Sequence, residues 1–173
     1  PHHGVDSIID AVAELDGDEV EFVFLGEGPE KEQIEAEVKS RELSNTRFLG
    51  RVPMEDLVDW VAAADICLGI FSSDIRARAS ITNKVSEGVA MGKPVVTMDS
   101  QAIRDWFTDR EDIYLVPAED GVALAAAIRD LRDDPALRKT LGANARTRYK
   151  DAFSPENLGR ILSESIPLSR ESR

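Results

Sequence analysis

The chain has 173 residues, enough for one domain with a real hydrophobic core, and 42% hydrophobic with 31% charged residues is an ordinary globular balance. Its formal net charge of −12 argues against nucleic acid and against non-specific docking on anionic lipid, both of which need clustered Lys and Arg. No stretch approaches the roughly 18 apolar residues needed to span a membrane, and no basic segment followed by an apolar run marks a signal peptide.

In chain order, Val5, Ile8, Ile9, Val12 and Leu15 recur at helical spacing. Glu21 to Leu25 reads as a short buried strand, stopped by Gly26-Glu27-Gly28-Pro29. A helix is predicted over Glu30 to Arg41, a strand over Arg47 to Gly50, and a helix over Met54 to Ala63. Asp65 to Phe71 is the third strand, holding the single cysteine, Cys67, which has no internal disulfide partner and reads as a buried structural thiol. A polar loop from Ser72 to Thr82 leads to a helix from Asn83 to Met91, followed by a strand from Pro94 to Met98. A short helix over Gln101 to Trp106 and a strand over Ile113 to Val116 come next. Val122 to Leu131, Ala136 to Tyr149 and Pro155 to Ser165 are helical, and the polar tail after Pro167 is read as frayed. Trp60 and Trp106 are expected to fill helix–sheet contacts. The run Asp109 to Asp112 is expected to be a solvated loop, and Arg129, Arg132 and Arg138 to sit on exposed helix faces.

Strands alternating with helices imply parallel pairing. Continuous apolar strands imply a sheet covered on both faces. The expected architecture is a doubly wound, Rossmann-like α/β sheet over residues 1–166, with a helical C-terminal extension. Ligands in such folds sit at the carboxyl ends of the strands, so the loops of interest are Gly26 to Pro29, Gly50 to Pro53, Phe71 to Thr82 and Met98 to Ala102.

The most informative segment runs from Ile81 to Val96. A polar loop opens a helix there, and Gly92 ends it just before a strand. A helix N-terminus offers unpaired N–H groups and partial positive charge, an anion site suited to a diphosphate. Asn83 is the candidate cap, with Thr82 beside it, and Lys84 adds a point charge. Glu87, about one turn in, can accept hydrogen bonds from both hydroxyls of a ribose. Spacing alone leaves a second reading open, in which Glu87 is a solvated helix residue, Lys84 a surface charge and Gly92 an ordinary helix stop.

Lys84, Glu87, Ala90, Gly92, Pro94 and Val95 resemble the Lys-x-x-Glu-x-x-Ala-x-Gly-x-Pro-Val signature of retaining glycosyltransferases of the GT-B fold, family four (glycosyl transferases group 1). The resemblance continues in order through His3 to Asp6, Phe24 to Pro29, Phe48 to Pro53, Ala64 to Ile66, Leu115 to Pro117, and Ala145-Arg146. It implies that this chain is the C-terminal, donor-binding half of a two-domain enzyme, with the N-terminal acceptor domain absent from it. It further implies sugar transfer from a nucleotide-diphosphate sugar with retention of configuration and no metal or other cofactor. Glu87 would hold the ribose, and the backbone around Arg51 and Val52 the base. Thr82, Asn83 and Lys84 would lie near the diphosphate or donor sugar. Gly26 and Gly28 either let backbone approach the ligand or simply make a turn. The expected location is the cytoplasm, peripheral at the inner membrane face if the missing half takes a membrane-associated acceptor.

Two positions depart from the family pattern. Family members often carry a second carboxylate eight residues before the ribose-binding one, touching the donor sugar; Ala79 stands there, with Arg76 and Arg78 beside it. His3 takes the place of a diphosphate-binding Lys before the first helix, and is a candidate phosphate donor itself. The alternatives are a nucleotide-sugar epimerase of the same fold and a non-catalytic interaction domain. A dinucleotide oxidoreductase is disfavoured, because Lys31 stands where the third Gly of a Gly-x-Gly-x-x-Gly turn belongs.

Overall fold

The computed structural model describes residues 4–165, so His3 and the tail read as frayed lie outside the described residues. The elements are α1 (Val5–Glu14), β1 (Phe22–Leu25), α2 (Lys31–Ser40), β2 (Thr46–Gly50), α3 (Met54–Ala63), β3 (Cys67–Leu68) and α4 (Ile75–Arg78). They continue with α5 (Asn83–Ala90), β4 (Val95–Met98), α6 (Gln101–Arg104), β5 (Tyr114–Val116), α7 (Gly121–Asp133), α8 (Pro135–Ala152) and α9 (Pro155–Ser165).

The strands are parallel, as the alternation predicts, but they pair in two groups: β1 with β2, and β3–β4–β5 in that order. Among the described residues no ladder joins β1 to β3. Apolar contact joins the groups instead, with Phe22 and Phe24 sharing one core with Leu68, Phe71 and Val96. The third strand is shorter than Asp65 to Phe71, yet its pairing to β4 runs on beyond Leu68. Gly69 N–H donates to the Val96 carbonyl at 2.8 Å, and Met98 N–H to the Ile70 carbonyl at 2.9 Å.

Every residue of β4 is buried, so both faces of its sheet are covered. On one face Val96 and Val116 pack with Ile8 and Val12 of α1, with Leu15 just after it, and with Leu124, Ile128 and Leu131 of α7. On the other, Val95, Ile113 and Leu115 meet Val85 and Val89 of α5 and Ala145 of α8. This is the Rossmann-like α/β arrangement, with helices on both sides of a parallel sheet.

The helix ends follow elementary capping chemistry. Asp120 and Asp134 accept from Ala123 N–H and Leu137 N–H at 2.8 and 2.9 Å, and Pro135 occupies the first turn of α8. The α5 helix stops at Gly92 with φ 68°, and Lys93 N–H reaches back to the Gly88 carbonyl, a Schellman ending.

Several local expectations change. Thr82, not Asn83, is the cap residue of α5, and Asn83 is already helical. The polar loop after β3 contains the short helix α4, capped by Asp74. The charged run at residues 109–112 is a structured turn rather than a solvated loop. Asp112 is only 4% exposed and accepts from Thr108 N–H and Arg148 Nε, while Asp109 accepts from Leu115 N–H. Backbone amides inside the turn satisfy these carboxylates, which is why they leave water. Arg129 and Arg132 are tied to Asp18, and Arg138 donates to the carbonyls that end α7. Trp60 lies 5.5 Å under the Arg47 guanidinium, and Trp106 is half-exposed against Phe153 rather than filling a helix–sheet contact.

The α5–α8 contact is made backbone to backbone. A Cβ on the buried Gly142 would overlap the Gly92 carbonyl oxygen. Gly142→Ala is expected to destabilise the fold by about 2–3 kcal/mol, because the obstructing atom is backbone and cannot rotate aside. Urea unfolding measures this; an unchanged midpoint would contradict the packing described.

Candidate functional site

Parallel pairing brings the carboxyl ends of β1 and β2 together and those of β3, β4 and β5 together, and the loops that follow the strands lie at these ends. The start of α1 reaches the ends of the second group. Gly4, its cap residue with φ 65°, lies so close to the chain leaving β3 that a Cβ would come within 2.5 Å of Phe71 C and Ser72 N. The loops after β3 and β5 are fastened together beside it. Glu119 N–H donates to the Phe71 carbonyl, and the Glu119 carboxylate accepts from Ser73 N–H at 3.2 Å and Ser73 Oγ at 2.5 Å. Those two bonds hold the Glu119 carboxyl below its ordinary pKa and fix a non-glycine residue at φ 57°.

The α5 helix begins at this edge. Val85, Gly88 and Val89 form its buried face, packed on β3 and β4. Helical geometry puts Asn83 and Glu87, four apart, on the opposite face, with Lys84 beside them. All three side chains are exposed. The first-turn amides of a helix have no intrahelical acceptor, and the Thr82 side chain does not cap them. The Thr82 Oγ1 is buried and finds no hydrogen-bond partner among the described residues. Crowding by surrounding atoms holds the Lys84 ammonium below its usual pKa, and the nearby Glu87 carboxylate opposes that shift. The arrangement is therefore a helix end carrying positive partial charge, an exposed lysine whose pKa is lowered by its surroundings, and a carboxylate one turn along.

The second half of the edge is built by β1 and β2. Gly26 N–H donates to the Gly50 carbonyl at 2.7 Å, and the pairing register shifts between Phe24 and Leu25. Gly26 has φ 120°, a conformation that requires glycine, so its place in the turn accounts for it. Gly28 has neither a positive φ nor any atom within 4 Å of a built Cβ, so neither strain nor packing accounts for it. Arg51 is exposed and Val52 half-buried at the end of β2. An open cleft of about 410 Å³ beside this loop is lined by Glu27, Gly28, Pro29, Lys31, Glu32 and Glu35. Thus Thr82, Asn83, Lys84 and Glu87 form one cluster, and Gly26, Gly28, Arg51 and Val52 another, both on the strand-end edge. His3 lies outside the described residues.

Sequence reading does not single out Glu27, which pairs with Lys31 on the segment after β1 and lies against Gly50 at the end of β2. The i, i+4 spacing of Glu27 and Lys31 was the available signal. Ser73 and Glu119, far apart in sequence, gave none. Cys67 is a structural thiol, its pKa pushed up to about 11 chiefly by burial. Among the described residues no group of His, Cys, Asp and Glu could hold a metal, and no helix is long and apolar enough to cross a membrane.

Residues 1–134 match the glycosyl transferases group 1 family. The chain belongs to that family. The lipopolysaccharide core biosynthesis glycosyltransferase LpsD of Rhizobium meliloti is 35% identical over 140 residues, covering 79% of this chain and 39% of LpsD. The D-rhamnosyltransferase WbpZ of Pseudomonas aeruginosa is 29% identical over 88% of the chain and 39% of its own length. This chain therefore spans about two fifths of the length of these glycosyltransferases. The fold matches the structure of Anabaena HepE in complex with UDP at a TM-score of 0.82, with 19% identity over 95% of this chain and 45% of HepE. The chain thus has the Rossmann-like architecture found in GT-B glycosyltransferases.

Two outcomes follow from the local chemistry. Thr82→Val removes a buried hydroxyl without a partner among the described residues and keeps the side-chain shape. It is expected to stabilise the ligand-free protein by up to about 1 kcal/mol in urea unfolding, whereas a loss of stability would mean that the hydroxyl is already satisfied. Cys67, with a pKa near 11 against an ordinary 9.0, should react with iodoacetamide at pH 8 on the order of one hundredth as fast as an unhindered thiol, and at the ordinary rate once the protein is unfolded.

Proposed function

We propose that this chain binds the nucleotide-diphosphate sugar donor of a retaining glycosyltransferase and that the acceptor is held by a second domain outside residues 1–166. The carrying observation is the α5 N-terminus, where a helix end without a side-chain cap and the exposed Lys84 and Glu87 stand together at the strand-end edge. The first-turn amides, with Thr82, Asn83 and Lys84, receive the diphosphate. Positive partial charge there stabilises the oxygen charge that develops as the bond from the anomeric carbon to the diphosphate breaks. An incoming anion also relieves the penalty on the Lys84 ammonium. Glu87 accepts from the ribose hydroxyls. The bare backbone at Gly26 and Gly28 and the Arg51–Val52 turn face the base, and His3 is assigned to the phosphate side. Charge stabilisation of the leaving group comes from protein groups alone in this reading, without a metal.

The UDP bound in the structurally similar HepE supports a nucleotide donor, and the similar LpsD and WbpZ are glycosyltransferases by name. The acceptor, and with it peripheral contact with a membrane, belongs to the second domain. Ala79 favours one competing reading, a binding domain without transferase activity, because the position that carries a donor-facing carboxylate in the resemblance holds a methyl group here.

The deciding experiment is calorimetric titration with UDP, GDP and ADP, repeated for Glu87→Ala. One diphosphate should bind in preference, and the substitution should weaken it by about tenfold, the loss of two hydrogen bonds to one carboxylate. Absence of binding to the full-length parent would sink the donor-site reading. Isolated, this chain should transfer no sugar, and detectable transfer would remove the need for a second domain.

A further inference from the structure

We infer that Glu27 is a positioning residue for the nucleobase: its carboxylate, gripped by Lys31, lies over Gly50 and holds the Gly50–Arg51 turn in the shape that presents the Arg51–Val52 backbone to the base. This rests on the donor-site reading and adds a residue that sets base preference without touching the base.

Four features meet at this point. Lys31 Nζ donates to Glu27 Oε1 at 2.8 Å, an i, i+4 pair between the loop after β1 and the first residue of α2. Gly50 has φ 66°, and a Cβ there would lie 2.7 Å from Glu27 Oε1 and 3.6 Å from Lys31 Nζ, so the ion pair is seated directly above the Gly50 α-carbon. Gly26 N–H donates to the Gly50 carbonyl, fixing the other side of the same peptide. The register shift between Phe24 and Leu25 brings Leu25 opposite Gly50, which carries the Glu27 loop over the end of β2. The Arg51 backbone amide further favours the Glu27 anion, adding to the larger effect of Lys31 in holding the carboxyl below its ordinary pKa.

The arrangement has a defined purpose only at a recognition loop. Main-chain N–H and C=O groups can read a base edge only if the peptide planes are held still, because a backbone rotation at one residue redirects both groups. A glycine in the left-handed region is the residue least able to hold its own dihedrals. Glu27 supplies from outside the rigidity that Gly50 lacks, leaving the Arg51 and Val52 backbone fixed and the cleft beside Gly28 open. Ribose and phosphate groups, assigned to α5, do not depend on it.

That separation gives the test. Wild-type protein, Glu27→Ala and Glu27→Gln are titrated with UDP, GDP, ADP and the base-free analogue ribose 5-diphosphate, after circular dichroism confirms equal folding. Glu27→Ala is expected to weaken the preferred nucleoside diphosphate about three- to tenfold, to compress the preference among bases, and to leave ribose 5-diphosphate unchanged. Glu27→Gln, which keeps an oxygen acceptor, should recover part of the preference. Amide exchange at Arg51 should quicken in Glu27→Ala. Equal loss for the base-free analogue, or an unaltered base preference, would overturn the positioning role alone. Failure of the wild-type protein to bind any nucleoside diphosphate would overturn the donor-site reading and this inference together.

Discussion

The close approach of α5 to the strands governs the strand-end edge. A Cβ on Gly88 would lie 2.7 Å from Val95 Cγ2 and 3.1 Å from Cys67 Cβ, so the helix rests on the sheet with almost no spacer. Just past its C-terminal end, Gly92 and Gly142 bring α8 equally near. Held between sheet and helix, α5 can neither rotate nor slide without overlapping packed atoms. The direction of its first-turn amides and the outward face of Glu87 are therefore consequences of burial at Val85, Gly88 and Val89. A binding surface made of exposed side chains gains its precision from the buried face of the same helix.

The rest of the edge is held by polar contacts between loops. Glu119 fastens the chain after β3 to the chain after β5, and the Glu27–Lys31 pair on the chain after β1 lies against Gly50 at the end of β2. Glu119 and Glu27 are exposed carboxylates that accept from neighbours on the ligand side of the fold. Gly4 then seats the start of α1 against Phe71 and Ser72. Loops with little apolar surface of their own thus borrow order from fixed strand ends.

Much of this was legible from residue order, and the reasons differ by element. The strands at Phe22, Phe48, Cys67, Val95 and Tyr114 are short apolar runs bounded by turn residues, so their existence and parallel pairing could be read directly. The α5 segment was legible because its polar entry, apolar face and terminal Gly92 all agree. What could not be read lies in side chains that bond across sequence. Asp112 looks solvated until Arg148 and the Thr108 amide are placed around it. Thr82 and Asn83 are equivalent candidates for a cap until the backbone conformation at Thr82 is known. The division of the strands into two groups was also hidden, because apolar patterning specifies burial but not which neighbour completes a hydrogen-bond ladder.

That division has a mechanical consequence. The β1–β2 pair meets the β3–β4–β5 sheet through Phe22, Phe24, Leu68 and Phe71, an apolar seam without a ladder across it among the described residues. Hydrogen bonds fail when their partners shift by a fraction of an ångström, but apolar contact is non-directional and tolerates slip. The turn at Gly50 thus belongs to one strand group and the start of α5 to the other, and polar ties such as Arg41 to Asp10 and Asn45 to the Val12 carbonyl link the first group to α1. A single molecule touching both would join, through its own atoms, two strand groups that share a core but no ladder among the described residues.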